Sequence, residues 1–312
     1  MIDDHFEPDL PGADLQPREK ISPDALLLGD ALMHRWEKFT VRLTKCQLEL
    51  NEENVHDLRV SMRRLLVILI LCRAVMPEIK AKSLRREIKS HLDNLDALRD
   101  TQVMQVYLNK KFRREEDVTP ILTYLGMQEA HLLRQVNNEI NHIQVTSMLE
   151  RILLIEKTME YSLTGTGIEG QILSVVDEAF MEVRWKRLII NPEDMTSVHA
   201  MRIAFKKFRY MLEVAAPLIP SLPPSRLKVL HRYQGLMGDV QDGVVMLGFV
   251  DHFSSENPQF DVRPVREVVA QDLKKRMDTF MARIDRIRLF WRKSPTARFP
   301  WKLNTTTPPV VS

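Results

Sequence analysis

The chain is 312 residues long, with 45 Lys+Arg against 42 Asp+Glu, a formal net charge of +3, 44% hydrophobic residues and 28% charged ones. This balance excludes a disordered chain, and the near neutrality means that a polyanion-binding surface must come from where the cations sit rather than from their number. Ten Gly are too few to favour a Rossmann-like or barrel enzyme, and two Cys without a CxxC pairing, Cys46 and Cys72, fit buried thiols of a reducing compartment rather than a disulfide framework.

Residues 1–20 are acidic and Pro-bearing, lack the apolar stretch of a secretory leader, and read as a flexible arm. Ser22-Pro23-Asp24 opens the first predicted helix, with Pro in its first turn, and this helix runs to about Gln47. Asn51-Glu52-Glu53-Asn54 opens the second, which ends near Met76-Pro77. Its run Leu65 to Cys72 could be a buried strand on its own, but the flanks keep helical period, and the run is far too short to span a bilayer. Further helices are predicted over 80–93, 96–115, 118–144 and 146–162. Thr164-Gly165-Thr166-Gly167 with Gly170 mark the clearest internal break. Helices over 170–188, 195–216, 224–235, 238–254 and 262–291 follow, and residues 293–312 read as a flexible tail. The expectation is an all-α, cytoplasmic protein without membrane insertion. One domain over 21–292 is built of two helical-bundle halves, 21–163 and 170–292.

An internal repeat relates those halves. Val55-His56-Asp57-Leu58-Arg59-Val60-Ser61-Met62-Arg63-Arg64-Leu65 matches Val198-His199-Ala200-Met201-Arg202-Ile203-Ala204-Phe205-Lys206-Lys207-Phe208. At the same offset Pro77 falls on Pro220, Leu84 on Leu227, Arg85 on Lys228 and Lys89 on Arg232. After a one-residue slip, Leu98-Arg99-Asp100 falls on Val240-Gln241-Asp242; Arg35-Trp36 resembles Arg184-Trp185 less closely. Two copies of one unit pack most simply about a pseudo-two-fold axis.

On a helix, His56, Arg59 and Arg63 share one wedge, and Leu58, Met62, Leu65, Leu69 and Cys72 face the other way. His199, Arg202 and Lys206, with Arg209 close by, repeat the wedge opposite Met201, Phe205, Phe208, Leu212 and Ala215, while Arg64 and Lys207 sit at the shoulder of each stripe. An ordinary amphipathic surface helix also puts cations outside. Here, however, the polar face is nearly all positive, Arg59 and Arg63 repel at i,i+4, and the same face recurs cation for cation. An anion lying across the wedge accounts for that cost. If each basic helix pairs with the next, Arg85 and Lys89 in the first half and Lys228 and Arg232 in the second would extend a basic trough. Arg and Lys without interleaved aromatics suit phosphate without bases, which favours inorganic polyphosphate or another phosphate-rich polyanion over sequence-specific nucleic-acid binding. Asp100 and Asp242 read as structural acids, and Arg at i+3 to each His argues against a metal site.

The pattern H-x-x-R-[hydrophobic]-x-x-[RK]-[RK]-[hydrophobic], present twice with an RD or QD motif downstream, resembles the CHAD family, the conserved histidine α-helical domain, over about residues 20–291. HAMRIAFKKFRYMLE is similar to the family's second-half motif and HDLRVSMRRL to its first. The resemblance implies an all-helical fold of two bundle halves and binding of inorganic polyphosphate. The implied ligand residues are His56, Arg59, Arg63, Arg64, His199, Arg202, Lys206, Lys207 and Arg209, together with Arg85, Lys89, Lys228 and Arg232 of the following helices. Leu66 stands where the second half has Arg209, which shortens the first basic stripe. The ExExK signature of the CYTH domain found in many relatives is absent. The expectation is therefore a non-catalytic, cofactor-free and metal-free binder. The alternatives are a scaffold on polyphosphate or polyhydroxyalkanoate granules, contacting granule surface proteins, or a general polyanion binder; a polyphosphate-metabolising enzyme comes last.

Overall fold

The computed structural model describes residues 23–112, 118–162 and 168–302. The expected arm at 1–20, the Thr164–Gly167 break and the tail beyond 302 lie outside the described residues. Among those described, every regular element is helical. The order is α1 (Pro23–Leu48), α2 (Glu52–Val75), α3 (Lys82–Asn94), α4 (Asp96–Lys111), α5 (Thr119–Asn141), α6 (Val145–Ser162), α7 (Glu169–Leu188), α8 (Met195–Ala215), α9 (Pro224–Glu256) and α10 (Arg263–Met281). The all-α expectation holds, and most boundaries fall within a few residues of those the sequence predicts.

Two helices differ. The predicted pair 224–235 and 238–254 is one continuous helix, α9. Gly235 and Gly238 flank the expected gap, and each costs a helix about 1 kcal/mol, but the apolar stripe of Leu230, Tyr233, Met237 and Val240 is buried straight through them. The predicted helix 262–291 stops at Met281 and continues as a 3₁₀ turn over Ile284–Leu289.

Helix α1 packs along α2, and α7 along α8; the two pairs meet where α2 contacts both α7 and α8. The apolar faces predicted for α2 and α8 are buried in the main core. A smaller core joins Leu108, Ile121 and Leu125 of α4 and α5 to Val250, Val265 and Val269 of α9 and α10. There α9 and α10 approach closely: a Cβ on Gly243 would stand 3.1 Å from Leu273 Cδ1. The weaker match of Arg35-Trp36 to Arg184-Trp185 does not extend to packing. Trp36 is 5% exposed in the core, whereas Trp185 is 54% exposed.

Residues 293–302, expected within a loose tail, lie against the body. Trp301 is buried and stacks on Phe299 at 4.7 Å between centroids, and both pack on Trp291. Asp177 of α7 anchors the segment from inside. It accepts from Trp291 Nε1 at 2.6 Å and from Arg292 Nε and Nη2 at 2.8 and 2.6 Å. A buried carboxylate so paired stabilises only while both partners remain. Asp177→Ala leaves the indole N–H and the guanidinium without an acceptor and should cost about 3 kcal/mol, measured by urea unfolding. A change below about 0.5 kcal/mol would show that the anchor contributes nothing.

Candidate anion-binding site

Local signals set the two basic helices in register with their surroundings. Asn51 caps α2, its side chain accepting from Asn54 N at 2.9 Å, and Glu52 and Glu53 follow in the first turn. Asp194 caps α8 by accepting from Thr196 N at 3.0 Å. With Leu58, Met62 and Leu65 buried on one helix and Met201, Phe205 and Phe208 on the other, the rotation of each is fixed and so is the direction of its cations.

Those cations converge. Lys206 of α8 is crowded by Arg63 of α2, by Arg202 of its own helix and by Arg59 of α2. Burial first, and these three guanidinium groups next, bring its amine down to about 6. Arg202 is likewise held below its ordinary value, chiefly by burial, with Asp242 opposing and Arg63 adding. Arg59 is lowered by burial and by Arg63, although Asp96 binds it directly through Nη2; Arg63 Nη2 reaches the same carboxylate at 3.4 Å. The buried Nε atoms of Arg59 and Arg202 have no hydrogen-bond partner.

The acids of the downstream motifs lie close to these cations. Burial pushes Asp100 and Asp242 up, and each answers to arginines of both halves: Arg59 and Arg202 for Asp100, Arg202 and Arg99 for Asp242. The two motif histidines sit at corresponding edges. His199 Nδ1 lies 2.5 Å from Gln241 Oε1. His56, at the solvent edge of α2, is held below its usual value by partial burial and by Arg99, the residue matching Gln241.

A second cluster continues the strip. Arg64 of α2 faces Glu213 of α8, Nε to Oε2 3.3 Å, and stands 5.9 Å from the Tyr210 ring centroid. Arg209 is buried, bonded to Glu213 and, through Nε, to Gln234 Oε1 at 2.8 Å, and stacks 4.3 Å from the Tyr210 centroid. Arg35 of α1 joins here; burial and the neighbouring Arg64 lower it. With Lys38, Arg42 and Arg64 it lines a cleft between α1 and α2 of about 190 Å³. The sequence reading passed over Arg35 and Lys38. Their signal was the i, i+3, i+7 spacing of Arg35, Lys38 and Arg42, the same as that of His56, Arg59 and Arg63.

Thus His56, Arg59, Arg63, Arg64, His199, Arg202, Lys206 and Arg209 come together along the α2–α8 contact. Arg59 and Arg209 are held largely by internal acids there. The other candidates are elsewhere. Arg85 has Arg73 as its charged neighbour, ten residues or roughly 15 Å along α2 from Arg63. Lys89 is exposed and bound to Asp93 of its own helix. Lys207 turns to α7, 3.1 Å from Glu182. Lys228 and Arg232 lie on the exposed edge of α9. Pairing of α2 with α3 occurs, but α3 carries its cations away from the junction. Among the described residues no group of three His, Cys, Asp or Glu is placed to hold a metal ion.

The family model described as the CHAD domain matches residues 31–251. No curated protein matches the chain. Among solved structures it is similar to the crystal structure of the CHAD domain from the plant Ricinus communis, with a TM-score of 0.66 and 19% identity, over 88% of this chain and 96% of that one. At that identity the likeness speaks for the fold.

The junction has a consequence for stability. Lys206 has a folded value of about 6 against an unfolded value of 10.5. Between the two the unfolded chain binds more protons, so stability falls as pH drops from the upper value to the lower and levels off below it. Lys206→Met removes this cost. It should raise Tm at pH 7 by at least about 2 °C, with the gain shrinking toward pH 10, as followed by calorimetry. A lower Tm for the variant at pH 7 would contradict the reading.

Proposed function

This chain belongs to the CHAD family, and from that premise we propose that it binds inorganic polyphosphate, without turnover, along the α2–α8 junction. The observation that carries this reading is the crowding of Lys206 by Arg63, Arg202 and Arg59 across two separate helices. Like charges brought together at a partly buried contact cost free energy in the free protein. A chain of phosphates cancels the repulsion, and its regularly spaced oxygens match planar guanidinium forks and a compact ammonium. Arg63, Arg202 and Lys206 contact the ligand; Arg59 and Arg209, tied to Asp96 and Glu213, hold the others in place. Arg64, Arg35 and Lys38 carry the strip onto α1.

The contacts are reciprocal. Arg59 neighbours Lys206, and Arg202, the repeat equivalent of Arg59, neighbours Arg63, the equivalent of Lys206. Such exchange supports the pseudo-two-fold relation that the sequence repeat suggests. It also gives the junction the same chemistry in both directions, which suits a ligand with identical ends. The acids speak for binding rather than turnover: Asp96 is engaged by Arg59 and Arg63, and Asp100 and Asp242 each lie among arginines of both halves.

A granule-associated scaffold is the second reading, favoured by Met181, Trp185 and Leu188, which stand exposed at i, i+4 and i+7 on α7. Replacing these three by Ser should then release the protein from granules without weakening polyphosphate binding. No helix among the described residues is long and apolar enough to cross a membrane.

Arg63→Ala, Arg202→Ala and Lys206→Ala combined should weaken binding of long-chain polyphosphate about 100-fold, with helix content unchanged by circular dichroism. Wild-type affinity should fall steeply with salt, because each neutralised phosphate releases counterion, and the triple variant should show a shallower slope. Unchanged affinity in that variant would remove the site, and equal affinity for RNA of matched charge would make the protein a general polyanion binder.

A further inference from the structure

Arginines 232, 283 and 286 do not belong to the junction. On α9, Gln234 bonds Arg209 and Gln241 meets His199, so that face of the helix looks toward α8. Arg232 is two residues from Gln234, about 200° around the helix, and so points the other way. It joins Val229, Tyr233 and Leu236, at i−3, i+1 and i+4, in a stripe against the 3₁₀ turn Ile284–Leu289. Arg283 is the residue before that turn and Arg286 lies within it. A 3₁₀ helix has three residues per turn, so positions three apart eclipse and the two guanidinium groups leave the turn side by side. The three arginines rim a cleft of about 510 Å³ over Tyr233 and Phe290. Tyr233 is fixed there by donating to Ile284 O at 2.9 Å.

The charges around the cleft are out of balance. Several cations nearby have partners: Arg266 of α10 with Asp251 at 2.6 Å, Lys111 of α4 with Asp272 at 3.1 Å, and Arg276 of α10 with the Asp239 carbonyl at 2.8 Å. Among the described residues the side chains of Arg232, Arg283 and Arg286 have none, and all three are exposed. The adjacent acid, Asp285, is taken by Arg187 at 2.8 Å and Arg288 at 3.4 Å. Three unpaired forks converging on one concave, partly apolar space match clustered phosphoryl oxygens, and the volume lies in the range of small-ligand sites.

We propose that this cleft is a second anion site, separate from the α2–α8 junction, which takes a short run of phosphoryl groups on Arg232, Arg283 and Arg286. The run can be the polyphosphate moiety of a nucleotide, with its apolar part over Val229, Leu236 and Phe290, or a bare inorganic oligophosphate. The two sources share the chemistry recognised by the arginines and differ in their use of the apolar floor.

The test uses the full chain in which Arg63, Arg202 and Lys206 are Ala, titrated calorimetrically with inorganic triphosphate and with ATP. This background still binds at one site per chain if the cleft is independent. Adding Arg232→Ala, Arg283→Ala and Arg286→Ala weakens that binding at least tenfold. The same three changes in the otherwise wild-type protein leave long-chain polyphosphate at the junction. All three side chains are exposed, so their loss should not unfold the chain, and a thermal melt verifies this. ATP binding tighter than triphosphate assigns the nucleotide source, and equal binding assigns the inorganic one; both uphold the site. The proposal is overturned if the junction variant binds neither probe, or if removing the three arginines leaves binding unchanged.

Discussion

Like charges facing one another across the contact between α2 and α8 are the constraint on which the rest of this molecule turns. A repeated helix packed near its own copy presents the same side chains from both sides. Where those are Arg59 and Arg63 against Arg202 and Lys206, four cationic positions meet in one partly buried place. Burial and mutual repulsion act in the same direction on each of them. The free protein limits the cost in two ways. Asp96, Asp100 and Asp242 stand close to the arginines, and the Lys206 amine is held far below its ordinary value. Neither measure satisfies the buried Nε atoms of Arg59 and Arg202. Such unfinished polar chemistry is tolerated where an outside group completes it.

The core makes that arrangement possible. Predominantly apolar inner faces on α2 and α8 fix the rotation of each helix, so the cations cannot turn apart to relieve their repulsion. The α1–α2 and α7–α8 pairs bring this rigidity to the contact, and Asp177 ties the C-terminal aromatic segment to α7 behind it. The hydrophobic energy of a large helical core outweighs a local electrostatic penalty of a few kcal/mol. The site therefore draws on stability generated elsewhere in the molecule.

The sequence revealed the basic wedges because helical periodicity fixes which side chains share a face. It revealed their duplication because, within the repeated helix, cation replaces cation at every position but one, Leu66 against Arg209. It could not reveal which charges meet between helices. Arg85 and Lys89 repeat in register with Lys228 and Arg232, yet register says nothing about the rotation of α3 and α9 against their neighbours. Both helices turn these residues from the junction. Nor could one-dimensional spacing expose the role of Asp96, whose partner Arg59 is 37 positions away, or the reach of Glu213 across to Arg64 on another helix, although its i,i+4 pair with Arg209 is legible in the spacing. The continuity of α9 escaped for a related reason. Gly235 and Gly238 are local signals, and the burial that overrides them is tertiary. Phe299 and Trp301, in the segment that reads as a tail, have no helical spacing to betray that the chain there packs.

Selective isotope labelling of lysine allows the Lys206 side chain to be titrated by NMR, in the free protein and with polyphosphate bound. The expected free value is about 6, rising past neutrality when phosphates lie against the amine. A free value near that of an ordinary lysine, or one that polyphosphate leaves unmoved, would contradict the crowding of cations at the α2–α8 contact and its relief by the ligand.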